Sequence, residues 1–99
     1  MAKFAFFVEL KAKPGKESEL EAFLNKEAAL VRQEPGTLSW HAAKDEAEPG
    51  AFVIFDTFDS EADREAHMNG EAGKELAANA EKLLSGAPKI YRLQIVAQR

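Results

Sequence analysis

His67 is the side chain in this 99-residue sequence best suited to moving a proton. Histidine titrates near neutral pH and is the usual general base. It lies in the stretch Glu65-Ala66-His67-Met68, and at helical spacing it shares a face with Arg64, Met68 and Glu71. Trp40 and His41 fall in a strand-like segment and point to opposite faces, Asp56 and Phe58 share one face of another, and Tyr91 and Arg92 fall in the last. Each residue also has a plainer reading. A histidine on a helix serves as a packing or surface residue. Trp40 and the phenylalanines serve as core or subunit interface. Asp56 pairs with a lysine or arginine at the sheet edge, and the acidic loop Asp45, Glu46, Glu48 is simply solvated.

Other chemistries lack support. There is no cysteine, so thiolate metal sites, disulfides and a cysteine nucleophile are excluded. His41 and His67 are far apart and no His-x-x-x-His or paired-carboxylate spacing occurs, so no metal site is expected. Neither Gly-x-Gly-x-x-Gly nor a P-loop is present, no Ser-His-Asp constellation is legible, and no cofactor is expected. The net charge of −4, with both signs interspersed, argues against nucleic acid. Met1 to Leu10 carries Lys3 and Glu9 in an alternating pattern, which reads as a strand and not as a signal peptide or membrane span. A cytoplasmic protein with one domain over residues 1–99 is expected.

The elements that must position these residues follow from periodicity. Phe4 to Lys11 alternates, with Phe4, Phe6, Val8 and Leu10 on one face and Ala5, Phe7, Glu9 and Lys11 on the other. Pro14-Gly15 turns the chain, and Ser18 with Glu21 fits a capping box. Leu20, Phe23, Leu24, Ala28 and Val31 then form the apolar stripe of a helix. At Glu34-Pro35-Gly36 the helical period stops, with Gly36 expected to supply positive φ, and a strand begins near Leu38. It runs to Lys44, with Leu38, Trp40 and Ala42 on one face. Phe52 to Phe58 is the third strand. Asp59-Ser60 caps a short helix to Met68, Asn69-Gly70 interrupts, and a second helical run extends from Glu71 to Leu84. Ile90 to Ala97 is the last strand.

The order β-α-β-β-α-β predicts an α+β, ferredoxin-like antiparallel sheet with its helices on one face. Strands one, three and four carry apolar groups on both faces, whereas the helices cover one. At about 25 cal/mol per Å², covering about 500 Å² of the bare face contributes on the order of 12 kcal/mol before association costs. A two-fold homodimer joined through the open sheet faces is therefore expected, against the alternative of a monomer with a patchily apolar or loop-covered second face.

The chain resembles the antibiotic biosynthesis monooxygenase family of dimeric α/β barrels over nearly its whole length. The carriers are Lys13-Pro14-Gly15-Lys16, Glu34-Pro35-Gly36-Thr37-Leu38-Ser39-Trp40, the strand from Phe52 to Ser60, and Glu65-Ala66-His67-Met68. The resemblance implies oxygenases that turn phenolic or quinol-type compounds into quinones without a cofactor; other members degrade haem or isomerise small phosphorylated molecules. It makes His67 the candidate catalytic base or hydrogen-bond partner, and Trp40, Asp56, Phe58, Arg64 and Tyr91 candidate substrate-binding residues. Asp56 stands where members often carry glutamate, Phe58 where they carry tryptophan, and Arg64 where leucine is common. Phe58, together with the lack of an asparagine between Phe4 and Leu10, disfavours haem degradation. The expected function is a monooxygenase acting on a small phenolic or quinol compound. The alternative is a non-catalytic dimer that binds a small apolar ligand or serves in stress. An isomerase ranks last, because only Arg64 and Arg92 offer a phosphate site.

Overall fold

The computed structural model describes residues 1–99. The chain forms β1 (Phe4–Lys11), α1 (Glu17–Val31), β2 (Thr37–Lys44), β3 (Ala51–Phe58), α2 (Glu61–Met68), α3 (Glu71–Leu83) and β4 (Lys89–Gln94). The strands lie in the order β2-β3-β1-β4 and every neighbouring pair is antiparallel, the ferredoxin-like α+β arrangement that the element order predicts. No helix is long and apolar enough to cross a membrane.

Strand register sorts the side chains into two layers. Facing the helices are four cross-sheet rows: Phe58 beside Phe4; Trp40, Asp56, Phe6 and Arg92; Ala42, Ile54, Val8 and Ile90; and Lys44, Phe52 and Leu10. Phe6, Val8, Leu10, Phe52, Ile54 and Phe58 from this face pack with Leu20 and Leu24 of α1 and Leu83 and Leu84 at the end of α3 to form the core. On the other face lie the rows Ser39, Thr57, Ala5, Leu93; His41, Phe55, Phe7, Tyr91; and Ala43, Val53, Glu9, Lys89. Phe55 and Leu93 remain 39% and 37% exposed there, so the second face is apolar as the strand pattern implied.

Four local expectations are corrected. Ser18 does not cap α1. The turn at Pro14-Gly15 closes with the Lys16 N–H donating to the Lys13 carbonyl (2.9 Å), and the helix follows at once from Glu17. Ser18 is therefore already inside the first turn, where Glu17 and Glu19 face the positive helix end. Leu38 does not join Trp40 and Ala42. A register shift between Thr37 and Ser39 places Thr37 opposite Phe58 and leaves Leu38 52% exposed. Gly36 does not take positive φ; a Cβ there would lie 2.6 Å from Asp63 Oδ1, so the requirement is close approach of the β2 entry to α2. Finally, β4 stops at Gln94 because its partner β1 begins at Phe4, opposite it. Ile95 adds one bond to the Lys3 carbonyl (2.9 Å), and Val96 is outside the sheet.

Candidate active site

Ser60 caps α2 as its sequence suggested, accepting the Asp63 N–H at 3.1 Å. The helix so fixed carries His67 in its last turn, where the helix dipole favours a cation. The imidazole lies against the rings of Phe58 and Phe6, at centroid distances of 5.3 and 6.4 Å. Its Nε2 is 3.0 Å from Asp56 Oδ2 and its Nδ1 is 2.6 Å from Glu34 Oε1. Both carboxylates are anchored in turn. Asp56 Oδ1 accepts the Phe6 N–H at 3.3 Å, and Glu34 Oε1 accepts the Thr37 hydroxyl at 2.7 Å.

Two carboxylate acceptors, one on each ring nitrogen, require a proton on both nitrogens whenever both carboxylates are ionised. Burial pulls the His67 pKa down, but the hydrogen bonds and charges of Asp56 and Glu34 outweigh it and hold the imidazole above its ordinary value. His67 is thus strung between two carboxylates that favour its charged form.

This chain separates two cavities. On the inner side a pocket of about 230 Å³ opens between α1, α3 and the sheet, with Trp40, Ile54, Met68 and Leu76 among its apolar walls and Asp56, His67 and Glu27 as its polar points. On the outer side a cleft of about 400 Å³ is bordered by Glu34, Thr37, Asp63, His67 and Glu71. A further cleft between α1 and β2, of about 370 Å³, gathers Asn25, His41 and Lys44 and holds none of these carboxylates.

Glu27 is the second unusual group. It is 4% exposed, and its Oε1 has no hydrogen-bond partner. Burial, then the neighbouring charges of Glu75 and Glu34, push its pKa up to about 7, with the His67 charge acting the other way.

The sequence-derived candidates divide clearly. Trp40, Asp56 and His67 border the inner pocket together. Phe58 is fully buried behind the His67 ring, sits edge-on to Phe6 (5.8 Å), and supports the imidazole without bordering the pocket. Arg64 is buried at the β4 edge. Its Nη1 donates to the Leu93 carbonyl (3.0 Å), and its guanidinium lies 5.2 and 5.6 Å from the Phe4 and Phe6 rings, away from the pocket wall. Tyr91 is on the opposite face of the sheet, donating to Glu9 Oε1 at 2.8 Å and packed on Phe7 at 5.6 Å, so it does not meet His67. Asp56 pairs with the histidine and not with an edge lysine or arginine.

Two carboxylates escaped the sequence reading. Glu27 was detectable: Leu20, Leu24, Glu27 and Val31 are spaced four, three and four apart, which puts an acid inside the apolar stripe, and all four are buried. Glu34 was visible only as part of the Glu-Pro-Gly stop, because nothing local announces a partner beyond two strands.

The sequence model of the antibiotic biosynthesis monooxygenase family matches residues 4–79. A crystal structure of a protein of unknown function from Nitrosomonas europaea shares 43% identity, with a TM-score of 0.94 over 100% of this chain and 94% of the other. A protein from Pseudomonas aeruginosa is 26% identical with a TM-score of 0.85, covering 98% of this chain and 97% of its own. A candidate antibiotic biosynthesis monooxygenase from Caulobacter crescentus is 26% identical with a TM-score of 0.86, over 97% and 92% of the two chains. No protein of curated function matches this sequence. The family match spans β1 to β3, α1, α2 and most of α3, so it includes Glu27, Asp56 and His67, and the chain belongs to the antibiotic biosynthesis monooxygenase family.

Proposed function

We propose that this protein is a cofactor-independent monooxygenase that oxidises a small phenolic or quinol-type compound with dioxygen, working as a homodimer. The observation that carries this reading is the Asp56–His67–Glu34 chain set into the wall of a pocket that is apolar apart from Asp56, His67 and Glu27. A pocket of about 150 Å³ already holds a benzene-sized ligand, so about 230 Å³ accommodates one ring with a short substituent.

A phenol whose ring rests against Trp40, Ile54 and Leu76 presents its hydroxyl to Asp56. The O–H bond breaks and the proton is taken by the Asp56 carboxylate; His67, hydrogen-bonded to Asp56 through Nε2–H, keeps its own protons and in its charged form offsets the charge of the phenolate. The phenolate passes one electron to dioxygen, and the resulting superoxide and phenoxyl radical combine at a ring carbon. The peroxide then loses water, taking back the proton lent to the chain, and leaves a quinone. One oxygen atom ends in the quinone and the other in water, and all electrons come from the substrate. The mostly apolar walls limit the contact of the anion and radical with water.

The homodimer rests on the outer face. The row His41, Phe55, Phe7 and Tyr91 crosses the whole sheet, flanked by Leu93 and Val53. Pairing two such faces removes this surface from water.

Oxygen uptake with a panel of hydroquinones and anthrones tests the activity. One dioxygen per quinone is expected, with His67→Ala and Asp56→Asn slowed on the order of 10²-fold. Uptake no faster than buffer, or equal rates for the wild type and His67→Ala, overturns it. One observation favours a second reading, a non-catalytic dimer that binds a small ligand: both nitrogens of His67 are already taken. Ligand binding without oxygen uptake is its signature. An isomerase of a phosphorylated molecule has no support from the pocket, which neither lysine nor arginine borders.

A further inference from the structure

Glu27 takes no part in the chemistry above, yet it is a buried acid with an unpartnered oxygen on the wall of the same pocket. Native proteins seldom leave such an atom unpaired, because the lost hydrogen bond is not recovered from water. No lysine or arginine borders the pocket, and the one nearby group able to carry positive charge, His67, is already hydrogen-bonded to Asp56 and Glu34. The pocket is bordered by Glu27, Asp56 and His67 as its only titratable groups, with Glu34 behind the imidazole and Glu75 of α3 acting on Glu27 from outside. Three carboxyl groups thus surround a single imidazole. With Glu27 ionised, acids outnumber the one base around the pocket, an imbalance that disfavours carboxylates and phosphates and favours a cation.

We infer that the pocket selects a phenol carrying a short amine-bearing arm, with its hydroxyl at Asp56 and its ammonium donating to Glu27 Oε1. The inference rests on the proposed placement of the phenol and names the missing partner of Glu27. It also has a proton signature. Free Glu27 is largely protonated below about pH 7. An ammonium beside it favours the carboxylate, so binding at lower pH expels a proton into solution. Above that pH the acid is already ionised and nothing is released.

The probes are tyramine, 4-ethylphenol, which lacks the amine, and 3-(4-hydroxyphenyl)propionate, which replaces it by an anion. Calorimetry under nitrogen, in buffers of different ionisation enthalpy, measures affinity and protons together. Tyramine is expected to bind at least tenfold more tightly than 4-ethylphenol, and the propionate weakest of the three. Binding at about pH 6 should release close to one proton, and at about pH 8.5 none. Glu27→Gln, which keeps the shape of the neutral acid, should abolish the release and bring tyramine to within about twofold of 4-ethylphenol. Equal affinities for the three ligands in the wild type, no proton release at low pH, or failure of tyramine to bind overturns the inference without any variant. Tyramine binding through Glu27 with no oxygen uptake from any phenol sinks the oxygenase and leaves this site standing. Turnover of phenols indifferent to the amine does the reverse.

Discussion

His67 Nδ1 and Glu34 Oε1 lie 2.6 Å apart although β2 and β3 intervene between them in the chain. The contact ties the end of α1 to the end of α2, and with Asp56 it fixes both faces of one imidazole.

Glu34→Gln tests the charge in that contact. The substitution keeps the shape and removes the anion, so the His67 pKa should fall back toward its ordinary 6.5, followed by the ring signals in an NMR titration. The folded pKa is raised, so the stability it contributes is complete below about pH 6.5 and drains away as pH rises through the folded value. The variant should therefore lose about 1–3 kcal/mol in urea unfolding near pH 6 and progressively less in alkali. An equal loss at both pH values would mean that the contact's contribution does not depend on the charge of His67.

Glu27→Gln should act with its own pH dependence. The acid is raised from 4.5 unfolded to about 7 folded. The folded state holds the proton more tightly, so wild-type stability falls as pH climbs between those values and is flat outside them. The glutamine variant should match the wild type near pH 4.5 and exceed it by roughly 2–3 kcal/mol above pH 8, an upper figure for a group that solvates on ionising. A variant less stable than wild type at high pH would show that the carboxylate has a partner.

The fold was legible because its signals are local. Alternation in Phe4 to Lys11, the Pro-Gly stops and the Ser60 cap each act within a few residues, and together they leave one topology. The site was half legible for the same reason. His67, Asp56 and Trp40 reach one pocket because the parity of their strands and helix faces was readable. Tyr91 lies on the face away from that pocket, which only its pairing with Phe7 decides, because β4 carries apolar residues on both faces and its own pattern does not say which side meets the helices. Glu34 and Arg64 depend on contacts with residues 33 and 29 positions away in the chain, which no local spacing encodes.

Phe55→Glu addresses subunit pairing. Phe55 stands in the middle of the outer aromatic row beside Phe7 and His41, and it is exposed on a lone protomer. A carboxylate there costs a dimer two buried charges and a monomer almost nothing. The wild type should sediment at twice 10.9 kDa and the variant at 10.9 kDa, with the variant's pocket binding intact. A wild type that remains at 10.9 kDa at high concentration would remove the dimer.

Gly73→Ala asks whether the turn between α2 and α3 sets the site. A Cβ on Gly73 would come within 2.1 Å of the Met68 carbonyl oxygen, and the obstacle is backbone, which cannot rotate aside. The chain must therefore open between Met68 and Gly73. Met68 and Gly73 both border the inner pocket, and His67 is the residue before Met68, so the movement falls on the imidazole and its two carboxylates. The expected cost is about 2 kcal/mol or more in unfolding free energy. It should come with a fall in the His67 pKa as the two hydrogen bonds lengthen, a change that destabilisation elsewhere in the core would not produce. Gly86→Ala serves as the comparison. It is strained by its positive φ, but nothing lies within 4 Å of its added methyl, so stability should drop while the His67 titration stays where it was. If both variants shift His67 alike, the tight passage at Gly73 is not what aims the ring.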